Sequence, residues 1–290
     1  MVNIQWYPGH MEKARRDMQD SLKAVDMIIE VRDARIPLAS ANPMLDQMAK
    51  DKPRLIVLSK ADLADPDETE KWIKRLSGDN AMVLALDMQH DKSARKQVID
   101  AAGKLTEARR NRMIARGIRP RAMRAMACGI PNSGKSTLIN RIAGKNTAKT
   151  ADKPGVTRSL TWIHADKTLD LLDTPGVLWP KFDDQKTGQY LAVTGAINED
   201  ILNLKEIAVF AADTVRSHYP QTLKDEYGIE EDTPSEKYLE MIAQKRRLLK
   251  ENGIPDEERA AVVFLHELRR GALGRITLER CDEEAEDLQQ

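Results

Sequence analysis

The chain contains 290 residues, with 46 basic and 46 acidic side chains, so its formal net charge at pH 7 is zero. Hydrophobic residues make up 41% of the sequence, which is enough for a core and excludes wholesale disorder. Aromatic residues make up 4%, which disfavours an RNA reader built mainly on aromatic stacking. No apolar run approaches the ~20 residues that span a bilayer, the first residues lack signal-peptide features, and the two cysteines have no disulfide or zinc spacing. We therefore expect a cytoplasmic protein without a membrane span.

Short apolar runs alternate with helix-like segments in the amino-terminal part of the chain. The apolar runs lie at residues 27–31, 55–58, 81–86 and 122–128. The helical patterns lie at residues 11–25, 65–76 and 92–114. Short apolar runs flanked by polar turns are typical of buried parallel strands. The alternation therefore predicts an α/β fold, with a mostly parallel sheet and helices on both of its faces.

The pattern changes in the second half of the chain. Residues 160–165 and 168–172 are strand-like and closely spaced, which predicts a hairpin within the sheet. Helical spacing of apolar residues follows at 205–216, 235–250 and 256–270. We therefore expect two domains, an α/β domain over residues 1–186 and an all-α domain over residues 187–290.

Residues 129–136 read GIPNSGKS and match the P-loop pattern G-x-x-x-x-G-K-[ST]. A predicted strand precedes this segment and a predicted helix follows it. Backbone N–H groups would surround the phosphates, Lys135 would contact the β- and γ-phosphates, and Ser136 would ligate Mg²⁺. The predicted phosphate-binding residues are Pro131, Asn132, Ser133, Gly134, Lys135, Ser136 and Thr137. The alternative is a glycine turn without a ligand.

Two further segments could complete this site. Asp173 and Gly176 form a D-x-x-G element after an apolar run, where Asp173 could hold a water on Mg²⁺ and the Gly176 N–H could meet the γ-phosphate. Thr157 lies in the polar loop KPGVTR and could join the Mg²⁺ shell only when a triphosphate is bound, which would make the loop a switch. Taken alone, both segments are equally typical of ordinary turns.

Residues 59–62 read SKAD and resemble the [N/T]-K-x-D element that selects guanine. The Asp62 carboxylate could accept hydrogen bonds from guanine N1–H and the N2 amino group, whereas adenine presents an acceptor at N1 and would be rejected. The predicted guanine-binding residues are Ser59, Lys60, Ala61 and Asp62, followed after the next strand by Asp87 and Met88. Serine stands where asparagine is usual, so we expect base binding to be weaker by about 1 kcal/mol. An ordinary strand-to-helix turn is the alternative for SKAD.

The order of these segments is unusual, because the base element precedes the P-loop along the chain. A sheet keeps its contacts if the original termini are joined and the chain is cut elsewhere. The basic segment 104–124 would then be the join, and the cut would fall just after the D-x-x-G element. The segment that carries Gly176 would therefore run directly into the helical domain.

The residue after Gly176 is Val177, at a position where glutamine often orients the attacking water. Valine offers no hydrogen bond from its side chain, so we expect slow intrinsic hydrolysis. His10 is one candidate for managing the water or its proton, since histidine titrates near neutral pH. The alternative is that His10 is simply a residue at the start of a helix.

The permuted order and five segments resemble the ribosome biogenesis GTPase A family, a family of circularly permuted bacterial GTPases that assist assembly of the large ribosomal subunit. The five segments are WYPGHM (6–11), DARIPLASANP (33–43), GIPNSGKSTLIN (129–140), KPGVT (153–157) and DTPGVLWPK (173–181). The similarity covers most of residues 1–217 and thins in the helical tail.

This resemblance implies a circularly permuted P-loop GTPase domain followed by an all-α, RNA-binding C-terminal domain. It also implies that the large (50S) subunit stimulates GTP hydrolysis, at a late step of assembly. The implied ligands are GTP or GDP, Mg²⁺ and a K⁺ ion held partly by Asn132, and the implied partners are the pre-50S particle and its rRNA. The family assigns a catalytic role to the histidine that corresponds to His10. We further expect a monomer.

The leading hypothesis is a factor that binds rRNA with GTP and leaves after hydrolysis. Phosphates would be contacted by the basic segment 104–124 and by one predicted helix that carries Lys245, Arg246, Arg247 and Lys250. One alternative is a P-loop ATPase or small-molecule kinase, which the SKAD element disfavours. A second alternative is a scaffold that holds nucleotide without turnover, which Val177 leaves open.

Overall fold

A six-stranded sheet forms the centre of the computed structural model, which describes residues 9–49, 51–144, 160–179, 182, 184–251 and 253–283. The strands are β1 Met27–Asp33, β2 Arg54–Ser59, β3 Ala81–Leu86, β4 Met123–Gly129, β5 Thr161–Asp166 and β6 Leu169–Asp173. Their order across the sheet is β3-β2-β1-β4-β6-β5, and only β5 runs antiparallel to its neighbour. The predictions of a mostly parallel sheet and of a hairpin formed by β5 and β6 are confirmed.

The chain builds the sheet outward from β1 in two directions. Strands β2 and β3 follow on one side of β1, and β4 and β6 then follow on the other side. The order therefore reverses between β1 and β4. In open α/β sheets, ligands bind at such a reversal, beyond the carboxyl ends of the strands.

Ten α-helices accompany the sheet in the described ranges. The helices before and within the sheet are α1 Gly9–Ser21, α2 Pro43–Met48, α3 Pro66–Leu76, α4 Ala94–Ala115 and α5 Lys135–Ala143. The later helices are α6 Gln185–Val193, α7 Leu204–His218, α8 Pro220–Tyr227, α9 Tyr238–Lys245 and α10 Glu257–Arg270. Three short 3₁₀ segments lie at Leu22–Ala24, Glu199–Ile201 and Ser235–Lys237. Among the residues described, no helix is long and apolar enough to cross a membrane.

The prediction of one helix over residues 235–250 is wrong. A 3₁₀ turn opens this segment, and α9 ends at Lys245. Arg247 then adopts a left-handed conformation with φ of 56°, and the Leu248 N–H donates to Ala243 O at 2.8 Å. This i-to-i−5 hydrogen bond terminates a helix. The four basic residues therefore do not share one helix.

The two faces of the sheet contribute to different hydrophobic cores. Ile28, Met126 and Leu172 point to one face and belong to a buried cluster that also contains residues of α1 and of α6 to α10. Ile29 and Ala127 point to the opposite face, where the cluster includes residues of α4 and α5. The helices that follow residue 184 thus share a core with the sheet and are not a separately packed appendage.

The chain returns to the sheet after α10. The Arg275 guanidinium donates to Ala61 O at 2.9 Å and to Ala64 O at 2.8 Å, and the Ile276 N–H donates to Leu63 O at 2.9 Å. These contacts hold the loop that follows β2. The carboxyl-terminal segment is therefore part of the support of the predicted base element.

Glu279 forms a second link between the chain end and the sheet. Its buried carboxylate accepts hydrogen bonds from the N–H groups of Leu38 at 2.7 Å and Ala39 at 2.8 Å. The Trp72 indole N–H donates to Glu279 O at 3.0 Å. A carboxylate that accepts backbone N–H groups in this way stabilises the loop that follows β1.

Replacing Glu279 with alanine should lower the free energy of unfolding by about 2 kcal/mol, because the buried N–H groups of Leu38 and Ala39 lose their acceptor. Urea titration measures this change. Glu231→Ala removes an exposed carboxylate and serves as the control. Equal midpoints for the two variants would show that the Glu279 contacts do not stabilise the fold.

Candidate functional site

The predicted site residues lie at the carboxyl ends of the parallel strands. Ser59 ends β2, Gly129 ends β4, and Asp173 ends β6. Parallel strands present these ends at one edge of the sheet, so residues far apart in sequence meet there. The base element and the P-loop therefore converge on one edge, although their order along the chain is reversed.

The backbone of the P-loop has the conformation that a phosphate-binding turn needs. Asn132 and Gly134 have positive φ values of 57° and 88°. A Cβ atom on Gly129 would lie 2.5 Å from Val31 O, so only glycine fits at that position. The buried Lys135 begins α5, and Ser136 and Thr137 complete the first turn of this helix. The N–H groups of a helix start attract anions.

The base element and the P-loop are in direct contact. The Ser59 hydroxyl lies within hydrogen-bond distance of Ser133 O, at 2.5 Å, and of Arg32 O, at 2.9 Å. The Lys60 ammonium donates to Asn132 O at 2.8 Å. A Cβ atom on Gly134 would lie 3.3 Å from Ser59, so the two segments pack closely. Serine at this position therefore bridges to the P-loop.

A buried carboxylate at the end of β1 holds two cations at this edge. Asp33 binds the Arg35 guanidinium at 2.9 and 2.8 Å and the Lys60 ammonium at 2.8 Å. Burial by itself would raise the pKa of Asp33, but the charges of Arg35 and Lys60 outweigh it and hold that pKa below its ordinary value. Asp33 thus fixes the position of Lys60 in the predicted base element.

Asp62 and Asp87 lie beside each other at this edge. Their carboxylates and the His90 ring have ligand atoms within 4.8 Å of one another, and His90 Nδ1 lies 2.8 Å from Asp87 Oδ2. Burial would raise the pKa of Asp87, but hydrogen bonds from the N–H groups of His90 and Gln89 lower it overall. The Met88 side chain is buried in the core. The two predicted base-site carboxylates are therefore neighbours.

The D-x-x-G element lies against the P-loop. Asp173 Oδ1 accepts a hydrogen bond from the Lys135 ammonium at 2.5 Å. A Cβ atom on Gly176 would lie 3.0 Å from the backbone of Pro131, so this glycine allows a close approach of the two segments. The Val177 side chain is buried in the core, and its N–H donates to Gly129 O at 3.3 Å.

The oxygen atoms near Lys135 fit a hard cation. Ser136 contributes a hydroxyl and Asp173 a carboxylate, and Mg²⁺ prefers such oxygen ligands. The Ser133 hydroxyl oxygen is buried and has no hydrogen-bond partner within the described ranges, and it packs against Gly129. Thr157 and its loop lie outside the described residues. His10 lies in the first turn of α1, and its side chain also lies outside the description.

The P-loop is connected to the helices that follow residue 184. The Asn132 side-chain amide donates to Gly195 O at 2.6 Å. The Arg269 guanidinium, on α10, donates to Val193 O at 2.6 Å and to Ala192 O at 2.9 Å. Arg35 donates to Arg269 O at 3.3 Å. Hydrogen bonds therefore join both halves of the predicted nucleotide site to the helical region.

Sequence reasoning assigned no role to four residues that organise this edge. They are Asp33, Arg35, Asn42 and Arg269. Asn42 donates to Val177 O at 2.9 Å and so anchors the D-x-x-G segment. Three of the four lie in the segment DARIPLASAN, whose charged residues directly follow an apolar run. Charged residues directly after an apolar run lie at the end of a predicted strand, and this is the sequence signal that could have identified them.

Asp33→Asn should lower the free energy of unfolding at pH 7 by about 3–5 kcal/mol, because Arg35 and Lys60 would keep buried charges without a counter-ion. Since folding lowers the pKa of Asp33, its contribution to wild-type stability is present above about pH 4 and is lost as the pH falls further. The free energy of unfolding, measured by urea titration at a series of pH values below 6, should therefore fall less steeply with decreasing pH for the variant than for the wild type. The exposed Asp79→Asn serves as the control, and parallel pH profiles for Asp33→Asn and the wild type would contradict this assignment.

Comparison with known proteins agrees with this geometry. A family model described as "50S ribosome-binding GTPase" matches residues 124–249, which include the P-loop and the D-x-x-G element. The structure of GNP-bound YlqF from T. maritima matches with a TM-score of 0.65 at 28% identity, over 93% of this chain and 98% of that chain. The GDP-bound structure of TM YlqF has the same TM-score, 0.65, at 27% identity over 91% of this chain and 98% of that chain.

Sequence relatives extend over the full chain. A Bacillus cereus protein named ribosome biogenesis GTPase A is 46% identical over 99% of this chain and 97% of its own length. The Thermotoga maritima protein of the same name is 31% identical over 97% of this chain and 95% of its own length. The mouse mitochondrial ribosome-associated GTPase 1 is 33% identical over 95% of this chain and 90% of its own length. Together with the fold and the P-loop geometry, these relatives show that the chain belongs to the ribosome biogenesis GTPase A family.

Proposed function

We propose that this GTPase acts at a late step of large-subunit assembly, where it binds rRNA and pre-50S particles in its GTP form and leaves after hydrolysis. The observation that carries the proposal is the direct contact of residues 59–62 with residues 129–136, which supports one nucleotide site shared by the predicted guanine-selective element and the P-loop. The names of the relatives support the link to ribosome assembly.

Guanine recognition rests on Asp62, with Lys60 covering the base. Lys60 is held between the Asp33 carboxylate and Asn132 O, so its stem lies between the base element and the P-loop. The Asp62 carboxylate accepts from guanine N1–H and the N2 amino group. Asp87 lies close to Asp62 and narrows the space at the base edge.

Phosphate recognition rests on the P-loop amides and on Lys135. The hydrogen bond between Lys135 and Asp173 shows that both side chains reach the same point beside the P-loop. Ser136, Thr157 and a water held by Asp173 would hold Mg²⁺, which would supply positive charge against the β- and γ-phosphates. Lys135 would exchange its contact with Asp173 for the phosphates of a bound nucleotide, and Asp173 would orient the water. K⁺ would be held partly by Asn132, whose side chain is oriented by Gly195 O.

Hydrolysis requires a side chain that orients the attacking water, and Val177 does not supply one. The Val177 side chain is buried among apolar neighbours and cannot orient a water molecule. His10 supplies this function in the assembled complex, as the family resemblance implies. Turnover is therefore slow in the isolated protein and faster on the large subunit.

The proposed switch passes from the γ-phosphate to the helices. Gly176 packs on Pro131, and Val177 is tied to Gly129 and Asn42, so a change at Gly176 is passed on to neighbouring backbone. Asn132 is tied to Gly195, between α6 and the 3₁₀ turn. Residues 187–290 act as the RNA-binding domain, and the protein acts as a cytoplasmic monomer. Through these contacts, the nucleotide state alters the position of the helices in this domain.

Phosphate release measured with and without purified large subunits, in potassium and in sodium, tests this proposal. The wild type should turn over GTP at least about tenfold faster with subunits. Lys135→Ala should lose nucleotide binding, and His10→Ala should bind GTP but lose about 100-fold or more of the stimulated rate. His266→Ala, an exposed histidine on α10, is the matched control.

Each outcome of this experiment bears on a separate part of the proposal. Wild-type turnover in Lys135→Ala would contradict the proposed enzyme site. Full stimulated turnover in His10→Ala would contradict the role of His10 only. The switch is tested by a separate measurement of rRNA binding, and equal rRNA affinity with GTP and GDP analogues would contradict it.

Asp62→Asn should weaken GTP binding at least about 100-fold, because the new amide cannot accept both guanine donors. It should improve binding of xanthosine triphosphate, since the amide N–H can donate to the carbonyl at position 2 of xanthine. Competition against a fluorescent guanine nucleotide measures both affinities. Asp67→Asn, at an exposed position of α3, is the control, and unchanged preference in Asp62→Asn would mean that Asp62 does not contact the base.

A further inference from the structure

The carboxyl end of α6 contacts the P-loop. Gly195, which follows α6, has a positive φ of 80°, and the Ala196 N–H donates to Leu191 O at 2.8 Å. This i-to-i−5 hydrogen bond, with glycine in the left-handed conformation, terminates the helix. In the resulting turn, Gly195 O accepts a hydrogen bond from the Asn132 side-chain amide at 2.6 Å. The end of α6 therefore supplies a contact to the nucleotide site.

Arg269, on α10, binds this end of α6 with its whole guanidinium group. Its Nε donates to Val193 O at 2.6 Å, and its Nη2 donates to Ala192 O at 2.9 Å. Its Nη1 pairs with the Glu199 carboxylate. The last carbonyl groups of a helix lack the usual partners within the helix and favour a nearby cation. The Arg269 side chain is thus a cap for α6 that a different helix supplies.

The guanidinium also packs on Gly195 itself. A Cβ atom on Gly195 would lie 3.5 Å from both Cζ and Nε of Arg269. Val193 precedes Gly195, and Glu199 opens the 3₁₀ turn that follows it. The Arg269 side chain is only 17% exposed, so water competes little for its hydrogen bonds. Arg269 therefore holds the backbone on both sides of Gly195.

Asn132 is held in place from outside the P-loop. Its φ of 57° lies in the left-handed region, which few residues other than glycine adopt. The Lys60 ammonium donates to Asn132 O at 2.8 Å, and Gly195 O accepts from the Asn132 side chain. Loss of the Gly195 contact would therefore leave the Asn132 side chain less constrained.

Arg269 also reaches the base element, through its backbone. Arg269 O accepts from the Arg35 guanidinium at 3.3 Å, and Arg35 is paired with Asp33, which binds Lys60. The hydrogen bond from Lys60 to Asn132 O then closes a ring of contacts through the base element, the P-loop, α6 and α10. Replacing only the Arg269 side chain would break this ring at α6 and leave Arg269 O in place.

We propose that Arg269 is a positioning residue for the nucleotide site, which acts on Asn132 through the end of α6. The guanidinium holds the α6 carbonyl groups, and the fixed turn presents Gly195 O to the Asn132 amide. The P-loop is then held in place before a nucleotide binds, which lowers the cost of binding. This inference rests on the proposed function and deepens it, because it names a residue through which the helical region sets nucleotide affinity.

Binding of a fluorescent GDP to the full chain, measured by anisotropy well below the melting temperature of each variant, tests the proposal. Arg269→Ala should weaken GDP binding about tenfold, as expected for coupling by a residue that does not contact the ligand. Arg269→Lys should weaken it only about threefold, since lysine keeps a cation beside the α6 carbonyl groups but lacks the planar donor fork. Arg270→Ala changes the exposed neighbour on α10 and is the matched control, which should bind GDP like the wild type.

A double-variant cycle tests whether Arg269 acts through Asn132. Asn132→Gly removes the side-chain amide, and glycine tolerates the positive φ at this position. In that background, Arg269→Ala should change the GDP affinity by less than about twofold, because the contact that Arg269 supports is already lost. Peptides that cover residues 129–137 should also exchange amide hydrogens faster in nucleotide-free Arg269→Ala than in Arg270→Ala.

Wild-type GDP affinity in Arg269→Ala, or an equal loss of affinity in both backgrounds, would overturn the proposal. A merely structural cap would lower the melting temperature without any coupling to Asn132. If Arg269→Ala does not fold, the same cycle with Arg269→Lys decides between these outcomes. Ribosomal subunits are absent from all of these measurements, so a failure of subunits to stimulate wild-type turnover would contradict the proposed function and leave the role of Arg269 in nucleotide binding intact.

Discussion

The hydrogen bonds between the base element and the P-loop are the constraint on which the site depends. Ser59 reaches Ser133 O, and Lys60 reaches Asn132 O, across the line where the strand order of the sheet reverses. Side chains at the carboxyl ends of neighbouring parallel strands meet whatever the order in which the chain visits those strands. The permuted connection therefore changes which segment leads into the helices and leaves the geometry of the site intact.

Buried charge extends this constraint beyond the nucleotide site. Asp33 binds Lys60 of the base element and also Arg35, which contacts the α10 backbone at Arg269 O. Removing one partner of such a buried network is costly, because the remaining charges stay desolvated. The P-loop has its own link to the helices through Asn132 and Gly195. With a shared apolar core, these links make the helical region mechanically continuous with the nucleotide site.

Much of the fold could be predicted from the sequence, because each strand is a short apolar run and each motif sits at a strand end. The helices α2, α6 and α8 were missed, since segments of six to nine residues show too little periodicity to be distinguished from turns. The end of α9 depends on the left-handed backbone conformation of Arg247. This conformation could not be predicted, because arginine is not a residue type that favours it. The Asp33 network could not be predicted, because pairing between Asp33 and Lys60 depends on the register of β1 and β2.

Hydrogen–deuterium exchange with and without GDP tests most directly whether one guanine nucleotide contacts both the base element and the P-loop. The account predicts slower exchange in peptides that cover residues 59–63 and in those that cover residues 129–137, at the same GDP concentration. A bound nucleotide protects the amides that it contacts or orders. Protection confined to residues 129–137, with exchange of residues 59–63 unchanged at saturating GDP, would contradict the account.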